Sequence, residues 1–158
     1  MKTLRLLFAL ACAVTTASMG WAQTLVANQA LAFGSFSAGA SAGTVTISAA
    51  GARGSGGGVF LISSGSGAAA SFTVTGTPGA TYSITLPDNG VVSMALAGNP
   101  GTTMAVNNFV SNPVATSGST GLLTGGTQIL TVGATLSVGS NQASGSYSGS
   151  FNVTVNIP

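Results

Sequence analysis

TQILTVGATLSVGSNQASGSYSGSFNVTVNIP, from Thr127 to Pro158, holds the clearest structural signal in the chain. Leu130, Val132, Ala134, Leu136 and Val138 recur every second residue, and so do Tyr147, Gly149, Phe151, Val153, Val155 and Ile157. Successive side chains of a strand point to opposite faces, so each run predicts a strand with one face in a core and one toward water. The polar, Gly-bearing link SNQASGS (140–146) suits a connection between two antiparallel strands.

Shorter runs of the same kind lie upstream. Leu31, Phe33 and Phe36 are apolar anchors around Gly34 in an extended start. Thr44–Ser48 alternates and places Val45 and Ile47 inward. AAGARGSGGG (49–58) reads as a loop carrying Arg53. The continuous apolar run Val59–Ile62 fits a strand buried on both faces. Phe72 and Val74 alternate with Thr, and Tyr82, Ile84 and Leu86 alternate beyond the Pro78-Gly79 turn. Pro87-Asp88-Asn89-Gly90 is a strong turn signal, which predicts that TYSITL and VVSMAL pair as a hairpin. Gly98–Gly101 separates VVSMAL from TTMAVNNFV. Eight or nine short strands separated by turns, with no helical pattern, mark an all-β sandwich or small barrel. No repeat supports a propeller or solenoid.

The chain opens with the basic MKTLR, an apolar LLFALACAVTTA, and SMGWAQ with small residues at Gly20 and Ala22. This is the pattern of a secretory signal peptide, residues 1–22, cleaved ahead of Gln23. The apolar run is shorter than the roughly 20 residues a membrane-spanning helix needs, so no membrane span is expected after cleavage. Lys2, Arg5 and Cys12 depart with the signal. Residues 23–158 form a single domain whose only charged side chains are Arg53 and Asp88, with no His and no Cys. An exported domain of this kind holds together without disulfides. The 45% hydrophobic content argues against disorder despite the Gly and Ser.

These absences limit the chemistry. General acid–base catalysis needs a proton carrier, and only Asp88, Tyr82 and Tyr147 remain. No His or Lys can activate a serine, one carboxylate cannot make a glycosidase pair, and zinc has no ligands. We therefore expect no enzyme, no catalytic residue, no cofactor and no metal site. Gly65-Ser66-Gly67 and Ala70 imitate a dinucleotide fingerprint, but the β-branched run that follows cannot open the helix which that motif requires. Asn152-Val153-Thr154 matches a glycosylation acceptor but falls within a predicted strand. Arg53 and Asp88 read as solvating two loops; Tyr147 and Phe151 read as packing. No basic patch exists for nucleic acid.

Sheet edges are commonly guarded by charge or Pro, and soluble surfaces carry about a quarter to a third charged residues. With two charges after the signal, the edges here must be covered internally or pair with another chain. That favours a surface assembly subunit.

GATLSVGSNQASGSYSGSFNVTVNIP, with LAFGSF and FTVTGTPGATYSITLP, resembles the bacterial secreted family called domain of unknown function 4402. The ending is also similar to subunits of archaic chaperone–usher fimbriae and the spore-coat-U-like domain. That likeness implies an immunoglobulin-like antiparallel sandwich completed by a strand from the next subunit. It implies residues 23–36 as the donor or edge strand and Tyr147–Ile157 as the border of the groove. Implied partners are copies of the chain or other surface subunits and a periplasmic chaperone. Fimbrial subunits generally carry a disulfide, which residues 23–158 lack. The expected role is a non-catalytic exported structural protein of the bacterial cell surface (periplasm, cell surface or extracellular). The alternative is a monomeric secreted adhesin or binding module that recognises sugar or protein through its loops.

Overall fold

A computed structural model describes residues 23–63, 65–115 and 121–158. The predicted signal peptide lies outside the described residues. The fold is all-β and antiparallel, a sandwich of one large and one small sheet. It contains eleven strands among the described residues, where the sequence predicts eight or nine.

The alternating run at Thr127–Val138 (β9) is the hub. Its inner side chains Leu130, Val132, Ala134, Leu136 and Val138 are all buried, as the period-two pattern requires. Along one side, β4 (Ala70–Thr75) pairs with residues 127–132 and β2 (Phe36–Ile47) with residues 134–138. Between them, a Cβ on Gly133 would collide with the Ile47 and Ser48 carbonyls, so glycine is needed where β2 turns away. Along the other side runs β7 (Asn99–Asn112), which pairs in turn with β6 (Val92–Leu96) across the two-residue turn Ala97-Gly98. Gly98 has φ +81°, a conformation open mainly to glycine.

Three strands close the large sheet. β1 (Thr24–Gln29) lies antiparallel to β4 at one edge, and β3 (Arg53–Leu61) lies outside β2. β10 (Tyr147–Ser148) lies outside β6. The second sheet is small: β5 (Thr81–Thr85) sits between β8 (Gly121–Leu122) and β11 (Thr154–Asn156).

Four sequence expectations are corrected. The two C-terminal runs do not pair with each other. The second is divided, its start joining the large sheet through β10 and its end the small sheet through β11. Its side chains still alternate between half-buried and exposed, because alternation survives a change of sheet. TYSITL and VVSMAL do not form a hairpin either; Pro87–Gly90 carries the chain from the small sheet to the large one. The glycine-rich 53–61 stretch is strand, not loop. Within it Val59 is buried but Phe60 is 67% exposed, so the run is not covered on both faces.

Two clusters form the core. Val74, Tyr82, Ile84, Leu123, Leu130 and Val132 pack beneath the small sheet. Val45, Ile47, Val59, Met104, Val106 and Leu136 pack around Phe33 on the other half of the same inner face. Tyr82 donates a hydrogen bond to Gln128 Oε1 at 2.8 Å. Burial pushes its phenol above the ordinary value of 10.0. The unfolded chain therefore gives up this proton at lower pH than the folded one. The stability contributed by the raised value is complete below about pH 10 and is lost as pH rises through the folded value. Urea midpoints measured from about pH 9 to about pH 11 should fall in the parent and fall less steeply in Tyr82→Phe. Equal slopes would mean that Tyr82 is not the group that titrates.

Candidate functional site

The small sheet covers only half of the inner face. Over the other half runs a strap, residues 30–35, and the two sides of this strap form a cleft. Ala32 and Ala68 exchange backbone hydrogen bonds of 2.9 and 2.8 Å, which fixes the strap across the sheet. Gly34 turns it with φ +70°, and a Cβ there would strike the Gly65 and Ser66 carbonyls. Phe33, 6% exposed, points down between the two sides.

On one side lies a cavity of about 360 Å³ between the end of β1 and residues 149–151. Leu31, Phe33, Phe72, Met94, Val106 and Phe151 supply its apolar walls, with Asn28, Gln29 and Ser150 at the rim. On the other side a wider space of about 690 Å³ separates the strap from residues 142–147. Its floor is Met94, Met104 and Leu136. The facing loop is tied down by Tyr147, whose hydroxyl donates to the Ala143 carbonyl at 2.7 Å and accepts from Gln142 Nε2 at 2.9 Å. Phe151 stacks on Phe109 with ring centroids 5.1 Å apart. Tyr147 and Phe151 are packing residues that also shape the cleft wall. Among the described residues, neither cavity has a charged side chain in its lining.

β1 forms the upper lip. Every one of its residues is exposed, and among the described residues its only strand partner is β4. Leu25 and Ala27 stand opposite Val74 and Phe72 on the inner face, whereas Val26, 52% exposed, faces outward opposite Thr73. The register slips between Ala27 and Gln29, where the strand gives way to the strap. The 23–36 segment is thus an edge strand followed by a strap, both packed on their own chain.

Arg53 does not simply solvate a loop. It stands opposite Ile47 on the inner face, and its stem passes Gly67, where a Cβ would meet both Ile47 and Arg53. The guanidinium donates to the carbonyls of Ser35, Ile62 and Gly65. It thereby joins the strap, the end of β3 and the Gly65–Gly67 loop that imitates a dinucleotide fingerprint. That loop leads into β4 and not into a helix. Asp88 is exposed on the crossover between the sheets. Asn152 is exposed in the link ahead of β11, outside the strand the sequence predicts there.

The strap and its cleft were not visible in the sequence, since Leu31, Phe33, Phe72 and Phe151 come together only through the sheet order. The one local signal is Phe33-Gly34, a large apolar residue beside a glycine in an otherwise extended run.

The fold and cleft define an all-β sandwich with an uncharged, singly paired edge strand above an apolar groove. Residues 24–157 match the family model described as Domain of unknown function (DUF4402), and the chain belongs to this family. No curated protein and no solved structure matches it.

Proposed function

We propose that the protein is a non-catalytic, exported structural component of the bacterial cell surface, a fimbria-like subunit that assembles by edge-strand complementation. The observation that carries this reading is β1: six exposed residues, no charge and, among the described residues, one strand neighbour, which leaves the other row of its backbone donors and acceptors without a strand partner there. A strand from another copy meets that row with the same backbone chemistry. Export rests on the signal pattern of residues 1–22.

A monomeric binding module is the second reading. It is favoured by β1 already lying in its own sheet and by the cavity beneath it, which would take an uncharged apolar group. Light scattering on protein starting at Gln23, on a variant starting at Leu31, and on Val26→Lys separates the two. Edge assembly predicts oligomers from the first that are lost in both variants, because Lys on the outer face blocks pairing while β1 stays attached. A protein that is monomeric throughout, and whose melting temperature collapses on truncation, would overturn assembly in favour of the binding module.

A further inference from the structure

The crossover from the small sheet to the large one carries the chain's single Asn-Gly pair, Asn89-Gly90. This dipeptide is the most labile site of asparagine chemistry in any polypeptide, because glycine has no side chain to hinder its own nitrogen. Both residues are exposed, and nothing in the sequence suggests protection. The structure supplies it. The Gly90 N–H donates to Asn107 Oδ1 at 2.8 Å. The Asn108 N–H donates to Asn89 Oδ1 at 2.7 Å, and Asn89 Nδ2 donates to Asn108 Oδ1 at 3.3 Å. The nucleophile and both ends of the carboxamide it would attack are therefore all held by two adjacent residues of β7.

Those two residues sit at an irregularity built into β7. The register with β9 slips between Asn107 and Val110, and Asn108 has φ +50°, a left-handed conformation that Asn tolerates better than most residues. The bulge turns both amides outward, toward the crossover.

We propose that Asn89-Gly90 is a deamidation site kept closed by this amide clamp, so that its chemistry reports the integrity of the crossover. In the open chain the deprotonated Gly90 nitrogen attacks Asn89 Cγ, a new C–N bond closes a succinimide, and Nδ2 leaves as ammonia. Water then opens the ring to aspartate or isoaspartate, and no other reactant is consumed. Attack requires the Asn89 carboxamide to turn onto the following amide, which breaks its two bonds to Asn108. The isoaspartate product cannot restore the clamp, because it adds a backbone atom between residue 89 and Gly90, whereas aspartate can do so only if the Asn108 carboxamide turns over to present Nδ2. Either product also places a second negative charge next to Asp88, in a domain whose only positive side chain is Arg53.

Peptide mapping by mass spectrometry, with isoaspartate detection, tests this on the full protein held at mildly alkaline pH, folded and in urea. Each net hydrogen bond that must open first slows the step about fivefold, so three together predict Asn89 deamidation about a hundredfold slower in the folded protein than in urea. Folded Asn107→Ala, which frees Gly90 and also removes the Asn107 Nδ2 donor to Ser137 Oγ, should react about fivefold faster than the folded parent. Asn108→Gly, which keeps the positive φ but removes the Asn108 Oδ1 acceptor, provides the same test on the carboxamide side. Equal rates for the folded and urea-unfolded parent would overturn the proposal without any variant. So would a folded variant that reacts no faster than the parent.

Discussion

Arg53→Ala is expected to lower the unfolding free energy by about 3 kcal/mol, because charge-assisted hydrogen bonds contribute about 1.5–3 kcal/mol each and two of the three here lie in partly solvated positions. That corresponds to a melting temperature lower by about 10 °C. The size comes from geometry rather than charge. The carbonyls of Ser35, Ile62 and Gly65 converge from three segments, and a planar guanidinium can serve all of them together. The Ser35 carbonyl also accepts from the Ile62 N–H at 3.0 Å, so losing Arg53 loosens the strap's junction with β3 as well. Two further variants divide the effect. Arg53→Met keeps the stem packed past Gly67 and should recover part of the loss. Arg53→Lys offers a single ammonium on a flexible stem and should behave nearer to alanine than to arginine. Urea denaturation of the three variants checks the ranking. A cost under about 1 kcal/mol for Arg53→Ala would return the residue to the class of solvated surface charges.

Arg53 also illustrates what a sequence can and cannot disclose. The alternation at Leu130–Val138 correctly marked the central strand, because a strand buried on one face imposes its period directly on the residues. The same rule applied to Tyr147–Ile157 gave the right inward and outward positions but the wrong partner. Period two records which way side chains point and is silent about which sheet receives them. The Asn-Gly turn failed as a hairpin signal for a related reason. Gly90 does adopt φ +82°, yet the turn's hydrogen bonds go to Asn107 and Asn108 on β7 and not to a facing strand. The stretch Gly54–Gly58 reads as a loop in the sequence because glycine disfavours strands on propensity alone. Here the pairing with β2 overrides that preference. The cleft was the least legible feature. Its walls come from the strap and from strands that lie far apart in the chain. By contrast, the scarcity of charge, read directly from composition, marked the exposed edge on which the functional reading rests.

Phe33→Ala is expected to cost about 3–5 kcal/mol, the range for deleting a buried aromatic ring from a core that cannot collapse around the gap. Collapse is restricted on every side. The Ala32–Ala68 bridge holds the strap from above, Gly34 is confined by the Gly65 and Ser66 carbonyls, and the floor is the paired β-sheet itself. Since Phe33 lines both cavities, its removal should open a passage between the 360 and 690 Å³ spaces under the strap. The variant should therefore bind a dye that fluoresces on apolar surfaces while keeping its far-ultraviolet circular dichroism. A loss below about 1 kcal/mol would mean that the strap rests on the sheet without organising this half of the core. The same variant separates the two functional readings. Under edge assembly the free side of β1 takes up a labelled peptide of residues 23–36, and Phe33→Ala, whose β1 keeps its pairing with β4, should take it up as the parent does. Under the binding-module reading neither protein takes up the peptide, and the variant alone loses the walled pocket that would hold an apolar ligand.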